Sequence, residues 1–564
     1  MISEIQLGNF KAFGPVQTIP LRRITLVFGP NSAGKSSIIQ SLMLARHIHD
    51  TGNADAHQTT LGGATVDLGG FEKFVHGHRP DRETTIRLTF NRADESKEAG
   101  KHESLGIEYS IGKLLASGPS STPVVGITSA TLFLGDQPTR FIRRHDGSLG
   151  VDVDAMRRRL EEQRESILKK SKSKGEKVIA RHLVGIEELA GAGFQIKLLA
   201  LQPLNPLPRE NVGYHVIEYQ KVDRPEPDPP GFFRRLLAAG DEMPDDNKVN
   251  ALVQRYELEC LAESANAEVN LALKAISYLG PLRWIPPRLI PEGEQFDASW
   301  QAGGGEAWQR LRREPDLRER VNRFLQDTLQ SQHRLKCQLL VPQMDVEKFE
   351  LNVKQAVERN AAAEERMPES SPIPIRSPKY FQHYLNAKKV ESDLFAAIHS
   401  ELHALNPDDA LTVLSIVNAD SGLTVSHRDV GTGISQLLPV LVNAAGAKER
   451  LIAIEQPELH LHPALQAELG DIFIESALGE NKNTFLIETH SEHLILRLLR
   501  RVREASANPN MDPKLALRPE DISVLFVRPG KDGSEILNLP VTADGDFACP
   551  WPGGFFAERA QELF

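Results

Sequence analysis

Cysteine is scarce. Among 564 residues there are three, Cys260, Cys337 and Cys549, far apart and without a C-x-x-C pair. That excludes a disulfide framework and a cysteine zinc site, and it fits a reducing compartment. Long apolar runs are missing too: none reaches the roughly 18 residues that a spanning helix needs. The longest apolar helical stretch, Ile434 to Ala447, is interrupted by Ser435, Gln436 and Asn443. Nor is there an excess of positive charge. Lys and Arg number 66 against 76 Asp and Glu, a net charge of -10, so any contact with nucleic acid must come from a local patch. The opening Met1-Ile2-Ser3-Glu4 lacks the cationic start and apolar stretch of a signal peptide, so a cytoplasmic setting without membrane attachment is expected. No Ser/His/Asp, H-E-x-x-H or base-deaminase arrangement is found. What is present is ordinary globular composition, 40% hydrophobic and 25% charged, in a chain long enough for a core domain with insertions or for two to three domains.

The first stretch reads as three short strands: Ile5 and Leu7 alternate with polar residues, Val16 to Leu21 follows a Gly-Pro turn, and Ile24 to Phe28 is a continuous apolar run suited to a strand buried on both faces. Further strands are expected at Thr84–Phe90, Gly106–Ile111, Thr128–Phe133 and Thr139–Arg143. From Met156 to His182 the chain is charged and helical in pattern. Prolines then interrupt it at Pro203–Pro208 and Pro225–Pro230, and Pro368 to Pro378 reads as an exposed loop. Val249, Leu252, Val253, Tyr256, Cys260 and Leu261 predict a helix continuing toward Ile276. From Leu411 onward strand, loop and helix alternate, which suggests an α/β sheet closing on itself.

The strongest motif is Gly29-Pro30-Asn31-Ser32-Ala33-Gly34-Lys35-Ser36, followed by Ser37, which fits G-x-x-x-x-G-K-[ST]. Glycine permits the backbone angles by which successive N–H groups wrap a phosphate. The helix opening at Lys35 aims its positive end at the same anion. Lys35 reaches the β and γ phosphates, and the Ser36 hydroxyl suits Mg²⁺. Both contextual tests are met, a buried strand before and an amphipathic helix after.

A second half-site lies far downstream. Leu451-Ile452-Ala453-Ile454-Glu455-Gln456-Pro457-Glu458 is an apolar strand ending in acids, the layout of a Walker B segment. About twenty residues earlier, Asp429-Val430-Gly431-Thr432-Gly433-Ile434-Ser435-Gln436 opens a helix with glycines, again a potential anion site. About thirty residues later, Phe485-Leu486-Ile487-Glu488-Thr489-His490-Ser491 ends a strand in a histidine.

This order, loop-helix, acidic strand, then strand-Thr-His-Ser, resembles the ABC-type ATPase superfamily. Leu7-Gly8-Asn9-Phe10-Lys11-Ala12-Phe13 looks like the start of its SMC/RecF-like branch. Ile454 to Pro463, with Glu458-Leu459-His460-Leu461-His462-Pro463, is similar to bacterial ATPases related to the OLD group. Tyr278-Leu279-Gly280-Pro281-Leu282-Arg283 and Asp544-Gly545-Asp546-Phe547 with Trp551-Pro552-Gly553-Gly554-Phe555-Phe556 look like a subgroup with a C-terminal domain of unknown function. The resemblance implies a mixed sheet with flanking helices, an antiparallel β subdomain and a largely helical insertion. It also implies ATP and Mg²⁺ as cofactors, with Lys11 beside the nucleotide, Ser36 and Glu455 on the metal and His490 as switch histidine. A second copy meets the first head to tail, its Gly431, Thr432 and Gly433 against the γ-phosphate. DNA maintenance or anti-phage defence with a separately encoded effector is the implied setting. Where the family usually has Asp-Glu, this chain has Glu455-Gln456. A neutral amide cannot accept a proton as a carboxylate does. Either Glu458 supplies the base, or hydrolysis is slow.

The expected organisation is an N-terminal ATPase lobe at 1–150, an insertion at 151–275, a connecting region at 276–405, a C-terminal ATPase lobe at 406–530 and a docking tail at 531–564. Arg157, Arg158, Arg159, Lys169, Lys170, Lys172, Lys174 and Lys177 form a basic run within 157–181. Such runs are usually solvated faces; the functional alternative is phosphate-backbone contact with DNA or RNA. Arg497, Arg500, Arg501 and Arg503 read as a solvated helix face, His460 and His462 as interface residues rather than metal ligands, and Arg283 as a candidate nucleotide sensor. Asp544 and Asp546 are similar to the paired carboxylates of a Toprim nuclease. A divergent nuclease is therefore the alternative function. A transporter ATPase is disfavoured, because about four hundred residues separate the P-loop from Walker B.

Overall fold

The structure, a computed structural model, describes residues 2–90, 105–114, 124–134, 137–143, 149–151, 267–286, 298–340 and 411–552. The basic run at 157–181, the start of the helix expected from Val249, the loop 368–378 and Gly553 to Phe556 lie outside the described residues.

The strand Ile24–Phe28 sits inside a six-stranded sheet. Its neighbours are Thr484–Glu488 on one side and Ile522–Arg528 on the other, both parallel to it. Leu451–Glu455 lies beyond Thr484–Glu488, and Ile276–Leu279 beyond that, again parallel. Glu535–Asn538, within the segment read as a docking tail, closes the far edge antiparallel to Ile522–Arg528. Among the described residues the sheet is open at both edges, so the expected closure on itself is corrected. Nor does Leu411–Asn418, the first strand of the expected alternation, belong to it. That strand pairs along its whole length with His333–Leu340, and with Thr424–Ser426 in a separate three-stranded antiparallel sheet. The helix expected to continue toward Ile276 ends at residue 274, and Ile276 opens a strand paired with Leu451.

The period of two explains how the sheet is covered. Ile24, Leu26, Phe28, Ile452, Ile454, Phe485 and Ile487 face one apolar core, with the helices Thr432–Gly446, Pro463–Leu478 and Glu492–Ala507. Val27, Ala453, Leu486 and Leu525 face the other, which contains Ile38, Leu42 and Met43 of the helix Lys35–Thr51. Each residue step along a strand swaps faces, so a continuous apolar run serves both cores.

The second core is roofed by a seven-stranded antiparallel sheet in the order 149–151, 137–143, 124–134, 105–114, 84–90, 2–8, 17–20. The four strands expected between Thr84 and Arg143 are all there. Thr84–Phe90 alternates buried and half-buried residues along its length, as a sheet with one face on the core requires. The arginine stretch departs from its reading as a solvated face. Arg497 binds Glu468 at 2.8 Å and Asp471 at 2.6 Å, Arg501 binds Asp471 at 2.6 Å, and Arg503 donates to the Asp544 carbonyl at 2.8 Å. These contacts tie Glu492–Ala507 to Pro463–Leu478 and hold the turn at Thr542–Asp546. Arg500 alone keeps an exposed pair, with Glu504.

Candidate nucleotide site

The carboxyl ends of the parallel strands gather the chemistry. Gly29 follows the last residue of Ile24–Phe28. Its φ of 145° and that of Gly34, 98°, lie where side chains strain the backbone, and a Cβ on Gly34 would collide with the methyl of Ala12. Between them Pro30, Asn31 and Ser32 are exposed, Ala33 is buried, and Ala33 N–H donates to the Pro30 carbonyl at 3.3 Å. Ser37 is buried and its N–H donates to the Gly34 carbonyl. Lys35 is 4% exposed, and its ammonium donates to the carbonyls of Gly29 and Pro30 at 3.1 and 3.0 Å. Burial lowers its pKa, while Glu488 and Glu458 act to raise it.

Three carboxylates face this cradle. Glu455 and Glu488 are register partners at the ends of adjacent parallel strands. The Ser36 hydroxyl donates to Glu488 Oε2 at 2.7 Å. The Glu455 pKa is pushed up to about 7, first by burial and then by Glu488, against the hydroxyls of Tyr278 and Ser36 and the Arg283 guanidinium. Glu488 is also raised by burial. Two buried carboxylates side by side with a serine hydroxyl make a set of hard oxygen donors. A hard divalent cation would relieve their repulsion, so the residues fit Mg²⁺. Lys11 is held with φ 47° by backbone bonds to Phe74 and by His76 Nδ1 on its carbonyl. Burial lowers its pKa, and Asp67 and Glu455 oppose that.

Gln456 has φ 46°, and its N–H donates to the Glu488 carbonyl at 2.7 Å, which turns the chain at the strand end. Two residues on, Glu458 is buried. Its Oε1 accepts the His490 N–H at 2.7 Å, and its Oε2 has no hydrogen-bond partner among the described residues. Burial raises its pKa. His490 is half-buried, and burial followed by the charge of Lys35 lowers its pKa. Ser491 caps the next helix through Leu494 N–H at 3.0 Å.

Gly431, Thr432 and Gly433 open the helix Thr432–Gly446 elsewhere on the same chain. Gly431 and Thr432 are exposed, whereas a Cβ on Gly433 would lie 2.6 Å from the His460 carbonyl. Among the described residues no hydrogen bond joins this turn to Lys35 or Ser36. His460 is exposed, and His462 caps Pro463–Leu478 by accepting from Ala464 N–H. Asp544 and Asp546 lie in the turn clasped by Arg503, and no cluster of three or more His, Cys, Asp or Glu side chains able to hold a metal occurs among the described residues.

Known proteins bear on this site in two halves. The family described as AAA domain matches residues 4–197, and that described as AAA ATPase domain matches residues 315–495. One half holds the P-loop and the other the acidic strand end. Both halves match AAA-type ATPase domain families, and the chain resembles the SMC/RecF-like branch of the ABC-type ATPases. The chromosome partition protein Smc of Synechococcus sp. is 29% identical over 130 residues, 22% of this chain and 10% of that protein, so the chain spans about a tenth of that relative's length. Solved structures similar to this ATPase include the SmcHead bound to the C-winged helix domain of ScpA, at 8% identity over 96% of this chain and 98% of that one, TM-score 0.35. The SMC head domain from Thermotoga maritima stands at 9% identity over 96% and 99%, TM-score 0.33. Both likenesses are too distant to carry an argument.

Of the residues expected at the site, Lys35, Ser36, Glu455, Glu458, His490 and Lys11 converge. Arg283, expected as a candidate nucleotide sensor, completes the arrangement together with Glu488 and Tyr278, which the motifs did not assign to it. For Glu488 a signal existed, since Phe485–Glu488 ends in an acid as Leu451–Glu455 does. For Tyr278 there was none, because nothing in its sequence shows that Ile276–Leu279 pairs with Leu451–Glu455. No helix among the described residues is long and apolar enough to cross a membrane.

Proposed function

We propose that this ATPase is an ATP-driven switch that closes two copies head to tail and reopens after slow hydrolysis. The supporting observation is the convergence of Lys35 and Ser36 with Glu455, Glu458 and Glu488 at one sheet edge. Mg²⁺ supplies charge neutralisation of the transferred phosphoryl group when bound. Lys35 leaves its two carbonyls to meet the β and γ phosphates, while the Gly29–Gly34 backbone wraps them. Ser36, Glu455 and Glu488 would hold the metal. Gly431, Thr432 and Gly433 of the second copy present a helix N-terminus to the γ-phosphate, which favours ATP over ADP. Glu458, with one oxygen fixed by the His490 N–H and the other unengaged, accepts the proton of the attacking water. Gln456 stands where a stronger base would be and leaves turnover slow. In this reading the switch works in the cytoplasm on DNA maintenance or anti-phage defence, through a separately encoded effector, with residues 157–181 available to nucleic acid.

Steady-state ATPase assays of the wild type and Gln456→Glu test the slow step. Gain of a positioned carboxylate is expected to raise kcat by roughly a hundredfold. Wild-type turnover already at ordinary ATPase rates, with no gain in the variant, contradicts it.

A further inference from the structure

Between the helix Thr432–Gly446 and the acidic strand end runs a short irregular segment, Gly280–Pro286, that neither half-site requires for nucleotide contact. It is bonded to both. On the signature side, Arg283 N–H donates to Gln436 Oε1 at 3.1 Å, and Gln436 Nε2 donates back to the Arg283 carbonyl at 2.7 Å. The Pro286 carbonyl meets His427 Nε2 at 2.9 Å and Arg428 Nε at 2.7 Å, and Arg428 Nη2 reaches the Ile285 carbonyl at 3.1 Å. His427 and Arg428 immediately precede the glycine turn, and Ser435 Oγ ties the first helical turn back to the His427 carbonyl at 2.5 Å. On the acid side, Arg283 Nη2 donates to the carbonyls of Glu455 and Gln456 at 2.8 and 3.2 Å, and Tyr278 just upstream donates to Glu455 Oε1 at 2.8 Å.

Arg283 is a costly way to make these bonds. It is 4% exposed, and its Nε and Nη1 have no hydrogen-bond partner among the described residues. A buried guanidinium with unspent donors destabilises a fold unless its charge acts on something. The charges acting on it are those of Glu458 and Glu455. Its flanking residues Leu282 and Trp284 are exposed, so Arg283 is turned inward between two outward-facing neighbours.

We propose that Arg283 is a positioning residue, and that the segment Arg283–Pro286 is a strap coupling the glycine turn at 431–433 to the acids of the same subunit's nucleotide site. The turn serves the partner's nucleotide and the acids serve the subunit's own, so the strap links the two sites of the closed pair. Engagement of the turn moves Gln436 and Arg428, the strap moves with them, and Arg283 carries the displacement to the Glu455–Gln456 backbone. This inference rests on the proposed head-to-tail switch.

The test compares wild type, Lys35→Ala, Arg283→Lys, Gln436→Ala, Arg428→Ala and the Arg283→Lys/Gln436→Ala pair, measuring affinity for a fluorescent ATP analogue with Mg²⁺ and kcat for ATP. Lysine keeps the charge at 283 but is shorter and lacks the planar guanidinium whose Nη2 reaches the Glu455 and Gln456 carbonyls. Affinity is expected to stay within about threefold of wild type in every variant except Lys35→Ala, while kcat falls at least about tenfold in Arg283→Lys and in Gln436→Ala. The paired variant is expected to be no worse than the weaker single, because residues of one unit are not additive. Arg428→Ala, whose side chain lies at the surface, is expected to lower kcat without affecting the melting temperature. Unchanged kcat, losses that multiply in the pair, or affinity falling in step with kcat would each overturn the strap. If Lys35→Ala binds the analogue as wild type does, the nucleotide site itself is misassigned and the strap falls with it.

Discussion

The two glycine turns of this ATPase look alike in sequence and differ in what surrounds them. Around Gly29 and Gly34 the chain itself fills the space: a Cβ on Gly29 would collide with the Val527 carbonyl, and one on Gly34 with Ala12. Both carry positive φ, and the Lys35 ammonium is already satisfied by carbonyls of the loop. At the other turn Gly431 has φ -51° and no described atom within 4 Å of where a Cβ would be. The first turn needs glycine for its own folding. At the second, only Gly433 does, against His460; Gly431 leaves room for something outside the subunit. In the proposed head-to-tail pair, the first turn is built within one subunit and the second faces its partner.

Substitutions at the two turns should separate accordingly. Lys35→Ala removes the ammonium held inside the cradle, and ATP affinity is expected to fall roughly a thousandfold, about 4 kcal/mol, by equilibrium titration. Gly34→Ala forces a side chain into a left-handed backbone and against Ala12, and should cost about 3 kcal/mol of stability in denaturant unfolding. Gly433→Ala meets the His460 carbonyl and should cost about 2 kcal/mol in the same assay. Gly431→Ala should change stability by less than about 0.5 kcal/mol and leave ATP affinity of the single subunit intact, yet weaken nucleotide-driven pairing. A large stability loss at Gly431 would break the distinction between the turns.

Much of this was legible in the residues. Gly29 to Ser36 carries its own chemistry, and Ile24–Phe28 announces a buried strand, because a phosphate cradle is built from consecutive residues. Glu455, Glu458 and His490 were readable because each ends or follows an apolar strand. What could not be read were partners set by sheet order. Glu488 lies against Ser36 only because Thr484–Glu488 pairs with Ile24–Phe28. Tyr278 meets Glu455 only because Ile276–Leu279 pairs with Leu451–Glu455. The arginines at 497 and 501 looked solvated because their acids, Glu468 and Asp471, come from another helix.

The joint grip on the triphosphate is tested most directly by sedimentation of the wild-type chain with and without Mg·ATP. A doubling of mass is expected with Mg·ATP, absent in Lys35→Ala and reversed when nucleotide is removed. The same mass in both conditions, with ATP shown to be bound, would contradict it.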